Sequence, residues 1–139
     1  MPRAIMFGHK LHHVGYATRE LAKSRRLYED LGFAATTDVI HDPVQRVRVV
    51  FMATGSDVLV ELVEPADATS PVSNFLAKHG PGLHHLCYEV NNIEAACERL
   101  REQGGVVTCA PVPAVAFNGR RIAFVFRREG LIELLESDR

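Results

Sequence analysis

At 139 residues, 47% hydrophobic and 24% charged, the chain is long enough to bury a core and has the composition of a globular domain. A formal net charge of −1 leaves no global basic field of the kind that gathers nucleic acid, and no apolar run approaches the roughly 18 residues that span a bilayer. Met1 to Lys10 lack the basic start and long apolar stretch of a signal peptide, and Cys87, Cys97 and Cys109 are odd in number with no CxxC spacing, so a reducing cytoplasm is the expected setting.

The first element is a short strand over Leu11 to Thr18. A helix follows over 19–31, with Thr18 as N-cap, Gly32 as terminator, and Leu21, Leu27 or Tyr28, and Leu31 on one face. Residues 34–40 are a β-prone run that ends in a turn at His41-Asp42-Pro43. Arg46 to Ala53 and Asp57 to Glu64 are two further strands joined at Thr54-Gly55-Ser56. Ser70-Pro71 reads as an N-cap followed by an N1 proline, opening a short linker helix through Lys78. Val72, Phe75 and Leu76 give that helix an apolar side to pack. The order then repeats: strand at Leu83 to Val90, helix capped by Asn92 and ended by Gly104-Gly105, strand at 106–110, a hairpin-type turn at Asn118-Gly119, and strands at 120–126 and 131–136.

The repetition extends to the residues themselves. LHHVGYAT at 11–18 recurs as LHHLCYEV at 83–90, and LVELVE at 59–64 recurs as LIELLE at 131–136, both 72 positions on. VRVVFM at 47–52 matches RRIAFV at 120–125 with an offset of 73, a one-residue shift that is later compensated. Two copies are too few for a solenoid. A single domain over 1–139 is expected: an α+β fold of two βαβββ modules, at about 9–65 and 82–137, with the linker helix at about 70–79.

His13 and Glu61 lie inside apolar strands, and both recur, as His85 and Glu133. A carboxylate in such a strand is costly to bury unless a metal, a base or hydrogen bonds satisfy it. Taken singly, a strand histidine is more often a hydrogen-bonded structural residue, and a strand glutamate can face solvent. The shared offset changes that weighting, because each module then supplies one imidazole and one carboxylate to a divalent ion. Spacing leaves the parity open: His12 and His84 recur one residue out of phase, and Glu64 and Glu136 recur near the strand ends. Tyr16, Tyr88, Cys87 and Cys97 read as packing residues, and His9 and His79 as solvated.

The segments LHHVGYATRELAKSRRLYEDLGF, VELVEP, SPVSNFLAKHGPGLHHLCYEV, GRRIAFV and LIELLE, in this order, resemble the vicinal oxygen chelate superfamily of glyoxalases, bleomycin-resistance proteins and dioxygenases. Within it they resemble the methylmalonyl-CoA epimerases, over roughly residues 11–136. The resemblance implies a curved mixed sheet around one metal site, with His13, Glu61, His85 and Glu133 as ligands. It implies one divalent ion (Co, Ni, Mn, Fe or Zn), and an enzyme in which Glu133 or Glu61 moves a proton next to a polarised carbonyl of an acyl thioester.

One position departs from the epimerases. Their additional acid/base glutamate aligns with Val49, and no acidic residue occupies 44–56. A glyoxalase I-type lactoylglutathione lyase, whose metal set is also two His and two Glu, is the second reading. The substrate is then an acyl-CoA or a glutathione thioester, with Arg48, Arg120 and Arg121 as candidate contacts to its anionic groups, or else as solvated strand residues. A non-enzymatic drug-binding protein is the reading from another class, and the retained ligand positions weigh against it. The resemblance also implies a homodimer. Neither a nucleic-acid nor a membrane partner is expected.

Overall fold

The computed structural model describes residues 10–138, so His9 lies outside the described residues. They contain nine strands and three α-helices in a mixed α+β arrangement. The chain divides into two compact units: His13–His84, and a second from His85 onward that also takes in His12.

In the first unit, β1 (Lys10–Ala17) leads to α1 (Leu21–Asp30). The β-prone run splits into β2 (Ala34–Ala35) and β3 (Ile40–Asp42), both antiparallel to β4 (Val47–Ala53). His41 and Asp42 are therefore strand residues, and the turn comes one step later. There the Asp42 carboxylate accepts from the backbone N–H groups of Val44 and Gln45. β5 (Leu59–Pro65) pairs antiparallel with β4 and parallel with β1, giving the order β2-β4-β5-β1. The linker helix α2 (Pro71–His79) belongs to this unit, with Val72 and Leu76 buried. Ser70 caps it as expected, its hydroxyl accepting from Val72 N–H at 3.3 Å.

The second unit repeats the plan with β6 (Gly82–Val90), α3 (Ile93–Glu102), β7 (Val106–Pro113), β8 (Arg121–Arg127) and β9 (Gly130–Glu136). Its order is β6-β9-β8-β7, with β6 parallel to β9 and the other pairs antiparallel. β7 runs three residues past the expected end at Ala110 and has two register irregularities. The Asn118-Gly119 turn is a longer loop containing a 3-10 turn at Val115–Phe117, with Asn118 left-handed.

One face of each unit carries its helix. In the first, Leu21 packs with Val50, Met52 and Leu62, flanked by Tyr16, Tyr28 and Phe33. Tyr28, not Leu27, faces this core; Leu27 and Leu31 are exposed. In the second, Ile93, Ala96 and Cys97 pack on Val90, Ala123, Val125 and Leu134. Both helices close in the same way. Gly32 and Gly104 adopt φ of +100° and +94°, and the next N–H reaches back to Tyr28 O and Leu100 O. That left-handed step with its long back-bond favours glycine and satisfies carbonyls at the helix end.

The starts of the helices differ. Asn92 caps α3 from its own side chain, accepting from Ala95 N–H at 2.9 Å. Thr18 does not cap α1; the N-cap is Glu20, whose side chain makes no capping bond. Glu64, far along the chain on β5, accepts the Leu21 N–H at 2.6 Å instead, and its other oxygen takes Arg48. A strand carboxylate thus meets the positive end of the helix. Glu64→Ala is expected to lower unfolding stability by about 1–3 kcal/mol, since a cap and a charge-assisted bond are both lost. Glu64→Gln, which keeps an acceptor, is expected to recover part of the loss. Urea unfolding of the three proteins checks this, and equal midpoints would remove Glu64 from the capping role.

Candidate functional site

Alternation along the strands sorts each unit's residues onto two faces. Gly15 registers with Glu61 across β1–β5, and Phe51 with Glu61 across β5–β4. His13, Glu61, Phe51 and Val49 therefore share the face turned away from α1. In the second unit Cys87 and Phe124 register with Glu133 from either side. His85, Glu133 and Phe124 share the corresponding face.

On these faces each histidine meets its glutamate. His13 Nε2 lies 3.3 Å from Glu61 Oε1, and His85 Nε2 lies 3.1 Å from Glu133 Oε1. All four residues are at most 7% exposed. Two donors each about 2.1 Å from one ion stand about 3.0 Å apart at a right angle and about 3.4 Å apart at a tetrahedral one. The two separations fit donors to a common ion as well as a direct His–Glu contact, and imidazole nitrogen with carboxylate oxygen is a donor set for divalent transition metals. Within each unit the residues fit a half-set of ligands.

The residues of the other parity go elsewhere. Glu64 and Glu136 lie on the helix faces and are taken up by Arg48 and Arg121, at 2.7 Å each. His12 packs perpendicular to Phe117, with ring centroids 5.4 Å apart, and His84 perpendicular to Phe75 at 5.0 Å. Exposed His79 also stacks near Phe75. Cys87 and Cys97 are buried, and no disulfide joins any of the three cysteines.

The three arginines named from the sequence are engaged with carboxylates. Arg48 holds Glu64, and Arg121 holds both Glu136 and Glu94. Both lie on helix faces, opposite the His–Glu pairs. Arg120 lies on the same face as His85 and Glu133, and it holds Glu89 at 2.7 Å and Glu136 O at 2.8 Å. The Glu89–Arg120 pair has no counterpart in the first unit, where the matching positions are Ala17 and Val47. Sequence reasoning named Arg120 but not its partner. Nor did it single out Phe51 and Phe124, although both recur within the VRVVFM and RRIAFV match.

Val49 is 2% exposed, on the Glu61 face and in register with Val63. Glu61 is therefore the carboxylate that β4 and β5 present on that face.

Fold and site together define a duplicated α+β protein with one buried His–Glu pair per module. The profile of the Glyoxalase/Bleomycin resistance protein/Dioxygenase superfamily matches residues 12–124. The uncharacterized protein YqjC of Bacillus subtilis (strain 168) is 37% identical over 134 residues, covering 91% of each chain. The mitochondrial methylmalonyl-CoA epimerase of Mus musculus is 37% identical over 131 residues, covering 92% of this chain and 72% of that protein. The crystal structure of methylmalonyl-CoA epimerase from Mycobacterium tuberculosis superposes with a TM-score of 0.80 at 32% identity, covering 93% of this chain and 88% of that one. The chain belongs to the Glyoxalase/Bleomycin resistance protein/Dioxygenase superfamily, and its epimerase relatives place it among that superfamily's enzymes. Among the described residues no helix is long and apolar enough to cross a membrane.

The Arg121 cluster carries a pH dependence. Its hydrogen bond holds the Glu136 carboxyl below the ordinary carboxylate range, and Glu94 is lowered by the same guanidinium. Arg121 is raised in turn, by Glu136 first and then Glu94. Carboxylates lowered on folding contribute fully above their unfolded pKa, and the contribution is lost as pH falls through the lower folded value. Arg121→Met is expected to be less stable than the parent near neutrality, with the gap closing in acid. Urea midpoints across the acidic range check this, and a gap independent of pH would dissociate the cluster from stability.

Proposed function

We propose that His13, Glu61, His85 and Glu133 together hold one divalent metal ion. On this reading the protein is a metal-dependent isomerase that moves a proton α to the carbonyl of an acyl thioester. The observation that carries the reading is the recurrence, in two units, of a buried His–Glu pair at ligand spacing. The epimerase relatives support the reaction class. Nitrogen and oxygen donors suit Co, Ni, Mn, Fe or Zn.

A bound divalent ion polarises a substrate carbonyl and so acidifies the neighbouring C–H. The chain's own residues then divide the work. His13 and His85 are fixed nitrogen donors. Glu133 takes the α-proton and returns it. Glu61 is the second carboxylate that can exchange a proton, because the position resembling the epimerases' extra glutamate is buried Val49. Buried Val49 and Val63 lie on the same sheet face as the Glu61 carboxylate and give it apolar surroundings. That same departure favours one second reading, a glyoxalase-type lyase on a hemithioacetal. Such an enzyme would work with the two ligand carboxylates alone.

Elemental analysis of the purified protein beside Glu133→Ala, followed by α-proton exchange in deuterated water with methylmalonyl-CoA, tests the reading. About one ion per chain is expected, weakened in the variant, with metal-dependent exchange. Bound metal with hemithioacetal turnover and no exchange would transfer the assignment to the lyase. Failure to bind metal under any reconstitution would sink both and leave a non-enzymatic binding protein.

A further inference from the structure

The imidazole of a metal-ligating histidine must be fixed in plane as well as in place. Its χ2 torsion is broad and roughly two-fold, and so is the terminal torsion of a glutamate. A His–Glu pair alone therefore leaves the ring free to rock about the line through Nε2. In both units a third side chain limits that motion. Phe51 packs on His13 with centroids 5.3 Å apart and planes at 77°. Phe124 packs on His85 at 5.7 Å and 89°. Both lie in the range where perpendicular aromatic pairs are favoured.

The placement is the same in each unit. Histidine, glutamate and phenylalanine come from three adjacent strands: β1, β5 and β4 in one, β6, β9 and β8 in the other. In each, the phenylalanine is in direct register with the glutamate. Other residues on these faces have diverged between the copies: Gly15 against Cys87, Ala17 against Glu89, Val47 against Arg120, and Val49 against Ile122. His, Glu and Phe stay the same, as do the leucines at 11 and 83 and at 59 and 131. Core filling alone would accept any apolar residue of similar volume, as it does at Val49 and Ile122.

We infer that Phe51 and Phe124 are positioning residues, each setting the ring plane of its histidine so that Nε2 is presented in the direction of the paired carboxylate. The inference rests on the metal-ligand reading of the two pairs. Its ring-plane component can be measured without metal.

The test uses the full chain with labelled histidine rings, comparing Phe51→Leu and Phe124→Leu with Phe51→Tyr and Phe124→Tyr. In metal-free protein, Phe51→Leu is expected to broaden or split the His13 ring signal and spare His85, and Phe124→Leu to do the converse. The Tyr variants keep single signals. In a Co²⁺ titration each Leu variant is expected to lose affinity by about tenfold or more, the range for residues that orient ligands, with an altered Co²⁺ absorption spectrum. The Tyr variants retain both. Leu variants that melt earlier yet keep single ring signals and parental Co²⁺ affinity would overturn the inference, leaving ordinary core packing. A parent that binds no Co²⁺ would defeat the metal reading, while the ring signals would still decide whether the phenyls hold the imidazoles.

Discussion

A carboxylate buried in an apolar strand is the condition around which this protein is built. Glu61 and Glu133 sit between leucines, valines and isoleucine at 7% and 4% exposure, where an uncompensated charge would be prohibitive. The neighbouring strand must therefore present a group that can accept or share that charge. The parallel registers β1–β5 and β6–β9 do so, placing a histidine two positions before the residue opposite the glutamate. Nitrogen and oxygen end about a ligand spacing apart in both units.

The same alternation that makes this possible also separates it from the helices. Residues of one parity meet α1 or α3, and residues of the other build the His–Glu face. Glu64 and Glu136 show what a glutamate does three positions further along: it crosses to the helix face and pairs with arginine. There it stabilises the start of a helix, directly in the first unit and through Arg121 and Glu94 in the second. A one-residue slip in either strand would exchange the two faces, carrying the His–Glu residues to the helix side and the Glu–Arg pairs away from it.

Duplication supplies two similar halves, and divergence makes them unequal. The second unit carries a Glu89–Arg120 pair on the face where the first has only Ala17 and Val47. The first carries Val49 where its epimerase-like pattern would have an acid. Membership of the superfamily fixes the architecture, and the chemistry depends on the site that each unit carries.

The sequence by itself determined the duplication, the βαβββ order, the capping of α2 and α3 by Ser70 and Asn92, and the four residues that recur inside apolar strands. Each of these depends on local pattern or on self-comparison, and both are legible in one dimension. Of the alternatives Leu27 and Tyr28, the structure takes Tyr28 and leaves Leu31 exposed; Thr18 as a cap and the turn beginning at His41 differ from the structure for one reason. Each is settled by a distant partner: Glu64 supplies the cap, and pairing with β4 draws His41 and Asp42 into a strand. Parity was open to spacing alone, because adjacent histidines and repeated glutamates look equivalent until strands are set in register. Only the tertiary structure put the His13 ring against Phe51 and beside Glu61, and committed the arginines to carboxylates. Direction from a strand and distance across a sheet arise from hydrogen-bonded register, which no local stretch of sequence contains.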